Sequence, residues 1–82
     1  MIGVTAQYFA LFRELADKES ETIDTTAETA GQLFFELSQR HGFVDPIEME
    51  RCKVAINDEL EDWDSPLTSG DVVLFFPPVA AG

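Results

Sequence analysis

The chain has 82 residues, with sixteen Asp and Glu against five Lys and Arg and a formal net charge of −11 at pH 7. That length supports one domain and leaves no room for two. The charge excludes nucleic acid and an anionic membrane as partners, since both require basic patches. It suits a solubilising surface and electrostatic steering toward a basic partner protein equally well. Seven Phe, one Tyr and one Trp are ample for a small core, and the single Cys52 allows no internal disulfide. Met1 to Gln7 lacks the basic start and apolar stretch of a signal peptide, and no apolar run approaches the ~20 residues of a membrane span. The expectation is a soluble, cytoplasmic protein.

Ile2 to Phe9 alternates with period two, as a half-buried strand does. Ile2, Val4, Ala6 and Tyr8 form one face. Gly3, Thr5 and Gln7 make the other face small or polar, with Phe9 as its one bulky residue. Leu11, Phe12 and Leu15 then fall at helical spacing within Ala10 to Lys18, and Glu21 to Thr25 reads as a second strand pairing with the first. Thr25-Thr26-Ala27-Glu28 fits a capping box, with the Thr hydroxyl on the N3 amide and the Glu reaching back. In the helix that follows, Ala30, Leu33, Phe34 and Leu37 make one apolar stripe. Arg40 and His41 occupy the last turn, where a cation favours the helix dipole, and Gly42 is suited to the left-handed residue after it.

Phe43 to Arg51, with Asp45-Pro46, reads as a loop with at most a helical turn. Lys53 to Asn57 is a short strand with Val54 and Ile56 inward, and Asn57-Asp58-Glu59 is a tight turn leading to Leu60 through Trp63. Ser65-Pro66-Leu67 and Ser69-Gly70-Asp71 are further turn signals. Trp63 and Pro66 are placed to pack the hairpin ends on the core. Asp71 to Phe76 is apolar on both faces, which marks a strand central in its sheet. This order predicts an α+β fold: a mixed sheet of four to five strands with one main helix on one face, compatible with a β-grasp roll.

Ordinary catalytic patterns are missing from the sequence, which has no triad, no metal-ligand spacing and no phosphate-binding glycine loop. His41 is read as a helix-end cation, and Cys52, between Arg51 and Lys53, as structural. Glu59, Glu61, Asp62 and Asp64 lack the spacing of a calcium loop and read as a solvated turn. The tail is different. Proline cannot continue a sheet ladder, so the last strand stops at Pro77-Pro78. Residues 1–76 are expected to form the domain and 77–82 an extended, flexible tail. Val79-Ala80-Ala81-Gly82 carries no bulk and no charge but its terminal carboxylate, a shape suited to threading a narrow channel of another protein. A carboxylate is inert toward nucleophiles until converted to a better acyl group such as an acyl-adenylate. An unhindered glycine end lets such a group approach a partner's site closely.

These residues resemble, over the whole length, the small sulfur-carrier subunits of molybdopterin synthase, a ubiquitin-like β-grasp family. The resemblance lies in Arg13-Glu14-Leu15, the Asn57 turn, Ser65-Pro66-Leu67-Thr68-Ser69-Gly70-Asp71 and, most specifically, Phe75-Phe76-Pro77-Pro78-Val79. It implies a sulfur carrier in molybdenum cofactor biosynthesis. The Gly82 carboxylate would be adenylated by an ATP-dependent activating enzyme and converted to a thiocarboxylate. The tail (Pro77, Pro78, Val79, Ala80, Ala81 and Gly82) would then enter the large synthase subunit and deliver sulfur to cyclic pyranopterin monophosphate. On that implication the chain binds no cofactor or metal itself, ATP belongs to the activating enzyme, and the large subunit supplies the catalytic residues within a heterotetramer.

The resemblance also assigns Phe9, Leu60 and Phe76 to an exposed apolar patch that docks both partners. By pattern alone Leu60 and Phe76 would pass as core; Phe9 would not. One departure stands out: the family ends in Gly-Gly, whereas Ala81 here adds a methyl group that restricts φ and widens the tail. Two rival readings remain at this level. One is a sulfur carrier for thiazole or another thiolated product, which the Phe-Pro-Pro-Val block disfavours. The other is a ubiquitin-like modifier or interaction module, which Ala81 favours.

Overall fold

In the computed structural model, which describes residues 1–42 and 51–77, β1 (Ile2–Tyr8) is flanked by a strand on each side. It alternates as its sequence does: Val4, Ala6 and Tyr8 are buried, and Gln7 is exposed. β2 (Ser20–Thr25) pairs antiparallel with β1, matching Ile2 to Thr25 and Gln7 to Ser20. β5 (Val72–Phe76) pairs with the other side of β1 in parallel, Tyr8 matching Phe75. β3 (Lys53–Ile56) is antiparallel to β5, and the short β4 (Glu59–Glu61) closes the far edge. The strand order is β2-β1-β5-β3-β4, so β5 is central, as its two apolar faces imply.

Between β1 and β2 lies α1 (Leu11–Ala16), and α2 (Ala30–His41) connects β2 toward β3. The α2 stripe is as the spacing predicts: Ala30, Leu33, Phe34 and Leu37 are all buried. Phe34 is the hub of the core, with ring centroids 5.5 Å from Phe12, 5.2 Å from Phe75 and 4.9 Å from Trp63. α1 differs from its pattern. Only Phe12 and Ala16 are buried, while Leu11 and Leu15 remain largely exposed. A six-residue helix resting on a core turns one narrow face inward, and the i, i+4 pair Phe12 and Ala16 takes it.

The helix start also shifts. Thr25 is still held in β2 by its pairing with Ile2, so it cannot cap the helix. Its hydroxyl instead accepts the Ala27 N–H at 3.0 Å and donates to Glu36 Oε1 at 2.7 Å. The cap is Thr29, whose Oγ1 accepts the Gln32 N–H at 3.2 Å, while Gln32 Oε1 takes the Glu28 N–H at 2.8 Å. The cap is built four residues later, and Gln32 reaches back to the amide of the residue before it, not to the cap's own as in a capping box. Two further first-turn amides are satisfied from a distant loop: Ala30 N–H donates to Ser65 O at 3.0 Å and Gly31 N–H to Trp63 O at 2.7 Å. A Cβ on Gly31 would lie 3.0 Å from that Trp63 oxygen, so glycine is what lets the loop approach. At the other end Gly42 takes φ 69° and its N–H reaches Ser38 O at 2.7 Å.

Trp63 packs on the core as expected, but Pro66 is exposed; its backbone bridges Thr29 and leaves the packing to Leu67. Asn57 (φ 52°) and Asp58 (φ 72°) form the two-residue turn of the β3–β4 hairpin. Asn57 also fastens the start of β5. Its Oδ1 accepts the Val72 N–H at 3.0 Å and its Nδ2 donates to Asp71 Oδ1 at 3.0 Å. Asp71 Oδ2 takes the Thr68 N–H at 2.8 Å. The segment 43–50, expected as a loop, lies outside the described residues.

Candidate functional site

Period-two alternation sends the other half of each strand to the sheet face opposite the core. Cross-strand register then groups them. Gln7, Leu74, Ala55 and Leu60 form one row across four strands, and Phe76 lies opposite Lys53 in the next. Both helices put their buried residues into the core on the far side, so among the described residues no helix covers this face.

Phe9 and Leu60 are exposed, at 55% and 73%, and Phe76 is half-buried. None of the three belongs to the core cluster, so the pattern that would place Leu60 and Phe76 in the core fails at both. Phe9 and Phe76 are brought together, with ring centroids 5.7 Å apart. Leu60 is not brought to them: it lies two strands from β5, roughly 10 Å away in the hydrogen-bonding direction. Leu74 and the small, buried Ala55 bridge the gap, and Val72 extends the same face. Sequence reasoning missed Leu74 and Val72. Their signal was the apolarity of β5 on both faces, which reports centrality but equally a face left uncovered. Beside Leu60, a shallow hollow of about 280 Å³ is lined by Lys53, Leu60, Glu61 and Asp62.

Beneath the Phe9 end, on the core side, sits a polar cluster. Glu21 Oε2 accepts the Tyr8 hydroxyl at 2.5 Å and lies 2.6 Å from His41 Nε2. Lys18 Nζ and Arg40 Nη1 flank the other carboxylate oxygen at 3.7 and 4.0 Å. Burial pushes the Glu21 carboxyl up, but hydrogen bonds from Tyr8 and His41 and the charges of His41 and Lys18 together carry it below its ordinary value. Burial, and then the bond to Glu21 and its charge, raise the Tyr8 phenol well above its ordinary value. His41, in the last turn of α2, thus has a specific partner in Glu21, which periodicity could not supply. Cys52 is buried, out of reach of a solvent-borne reagent. Glu59, Glu61, Asp62 and Asp64 are exposed, and among the described residues no group of three or more His, Cys, Asp and Glu is placed to hold a metal ion. No helix among them is long and apolar enough to cross a membrane.

Pro77 is half-buried directly after β5; Pro78, Val79, Ala80, Ala81 and Gly82 lie outside the described residues. What those five positions can do is therefore argued from their chemistry. After Pro78 they add no ring, no branched bulk beyond Val79 and no charge but the terminal carboxylate.

A mixed five-stranded sheet whose central pair is parallel, with one main helix across one face, defines a β-grasp protein of the ubiquitin-like class. The family model described as the ThiS family matches residues 6–82, and the chain belongs to that family. It is 35% identical over 78 residues to the molybdopterin synthase sulfur carrier subunit of Escherichia coli (strain K12), covering 92% of this chain and 94% of that one. A solved structure of a putative molybdopterin converting factor, subunit 1, from Pyrococcus furiosus is 32% identical with a TM-score of 0.77, covering 96% of this chain and all of that one. A protein–protein complex of subunits 1 and 2 of molybdopterin-converting factor from Helicobacter pylori contains a chain 27% identical with a TM-score of 0.65, covering 99% of this chain and 100% of that one.

Proposed function

We propose that this chain is the sulfur carrier of a molybdopterin synthase, with the Gly82 carboxylate as its working group. The observation that carries the reading is the 35% identity to the sulfur carrier subunit of Escherichia coli, together with a family match that runs to Gly82 itself. In the proposed cycle a Gly82 carboxylate oxygen attacks the α-phosphorus of ATP on an activating enzyme, and pyrophosphate leaves. Hydrosulfide supplied through a sulfurtransferase displaces AMP from the acyl carbon and, on losing its proton, leaves a thiocarboxylate. The tail then enters the large synthase subunit, where the sulfur bonds a side-chain carbon of cyclic pyranopterin monophosphate and the oxygen on that carbon leaves as water or phosphate. Water finally takes the acyl carbon and regenerates the carboxylate. Two such deliveries complete a dithiolene.

This chain contributes three things to that cycle: an acyl group with no Cβ beside it, a slim tail, and a docking surface. Phe9, Phe76, Leu74 and Leu60 supply the apolar part of the surface, and the net charge of −11 steers it toward basic partners. The catalytic residues belong to the large subunit, ATP to the activating enzyme, and the assembly is a heterotetramer in the cytoplasm. The Helicobacter pylori complex of subunits 1 and 2 supports the pairing with a large subunit.

Intact mass after incubation with a sulfurtransferase, the activating enzyme and ATP tests the reading. A gain equal to the exchange of one oxygen for sulfur at Gly82 is the expected result. An unchanged mass, with a Gly-Gly-ending carrier converted in the same mixture, overturns it. An isopeptide adduct through Gly82 would instead favour a modifier, the reading to which Ala81 points.

A further inference from the structure

Ala10 takes φ 52° and ψ −120°, a backbone setting that a residue with a Cβ rarely adopts. Such settings persist only where the surroundings over-determine them, and Ala10 is held from both sides. On its C-terminal side α1 is anchored to it: the Arg13 and Glu14 N–H groups reach Ala10 O at 3.0 and 3.2 Å, and Phe12 N–H reaches Phe9 O at 3.1 Å. On its N-terminal side Tyr8 is clasped. The Tyr8 N–H donates to Glu19 O at 2.8 Å, its hydroxyl to Glu21, and its ring lies edge-on to His41 at 5.7 Å and stacked on Phe75 at 6.4 Å. Between these two anchors stands Phe9, exposed and against Phe76.

Glu21 is the knot of the clasp. It ties Tyr8 at the end of β1 to His41 at the end of α2, and Lys18 and Arg40 hold its second oxygen. It pairs with Ala6, a core-side position, so a partner seated on the open face does not meet its side chain. We propose that Glu21 is a positioning residue for docking: through Tyr8 it holds the Phe9–Ala10 corner in the strained setting that stands Phe9 against Phe76. The inference rests on the docking role proposed above for that pair. A surface set before the encounter does not lose side-chain freedom at the encounter, so the benefit is read in affinity for the large subunit.

The test uses the full chain and three variants. Tyr8→Phe removes only the hydroxyl, Glu21→Ala removes the knot, and Ala10→Gly removes the strain. In the free protein, NMR contacts between the Phe9 and Phe76 rings are expected to weaken in Tyr8→Phe and Glu21→Ala and to persist in Ala10→Gly. Titration calorimetry with the large subunit is expected to show affinity lower by roughly threefold to tenfold in Tyr8→Phe and Glu21→Ala. In a Phe9→Ala background that loss is expected to vanish, because the clasp acts through Phe9. Ala10→Gly is expected to keep its affinity while its melting temperature stays level or rises, since glycine tolerates the setting. Unchanged Phe9–Phe76 ring contacts in free Tyr8→Phe and Glu21→Ala overturn the proposal. So does a Tyr8→Phe loss that persists undiminished in the Phe9→Ala background. Failure of the wild-type chain to bind the large subunit overturns the docking reading instead, and the ring contacts still decide the positioning.

Discussion

Phe9 and Phe76 meet at a ring-centroid distance of 5.7 Å although they come from opposite ends of the chain. The parallel pairing of β1 with β5, which sets Tyr8 opposite Phe75, brings them together one residue further on. Two large rings at the end of an open sheet face, one of them more than half exposed, form a surface that association would dry.

Phe76→Ala is therefore expected to weaken binding to the large synthase subunit more than it lowers stability. Loss of one such ring from an interface is worth about 1.5–3 kcal/mol, roughly tenfold to a hundredfold in Kd. Calorimetry beside a thermal melt checks this. Unchanged affinity with a large fall in melting temperature would return Phe76 to a purely structural role.

Two adjacent phenylalanines in α2 should behave in opposite ways. Phe34 is buried at the aromatic hub and Phe35 is 53% exposed. Phe34→Ala is expected to cost about 3–5 kcal/mol and Phe35→Ala about 0.5 kcal/mol or less. Urea unfolding of the two variants measures both; equal losses would contradict the packing described.

The position of the helix cap can be located by substitution. Thr29→Ala is expected to cost about 1 kcal/mol, because the Gln32 amide loses its acceptor. The exposed Thr26 has no such duty, and Thr26→Ala should lie within about 0.5 kcal/mol of wild type. A larger loss at Thr26 than at Thr29 would contradict the cap at Thr29.

The Glu21 cluster gives stability a defined pH dependence. Glu21 is lowered in the folded state, so its contribution is complete above its unfolded value of 4.5 and is lost as pH falls below that through the folded value. Tyr8 is raised, so its contribution is complete below its unfolded value of 10.0 and is lost as pH rises above it. Denaturation curves from pH 3 to 6 are expected to show a flatter acid slope in Glu21→Gln than in wild type. An identical slope would mean that Glu21 titrates alike folded and unfolded.

Ala81→Gly is expected to accept sulfur at least as fast as the wild-type chain, since glycine reaches every backbone setting alanine does and is slimmer. Single-turnover loading followed by intact mass checks it. Slower loading of the glycine variant would show that the activating enzyme recognises the Ala81 methyl group.

Much of this protein is local and therefore legible. Alternation in Ile2–Phe9, the Ala30, Leu33, Phe34 and Leu37 stripe, the Gly42 stop and the Asn57 turn each follow from side-chain period or backbone sterics within a few residues. The chemistry proposed for Gly82 is likewise argued from the residue and its small neighbours alone. Tertiary structure decided what depends on partners far along the chain. Pairing with Ile2 keeps Thr25 in β2 and moves the cap to Thr29. The approach of Trp63 and Ser65 supplies acceptors for the first turn of α2. Of the two apolar faces of β5, packing covered the one bearing Val73 and Phe75 and left that of Leu74 and Phe76 open. Periodicity states which residues share a face; only the register of distant strands and the side on which a helix lands determine which face meets water.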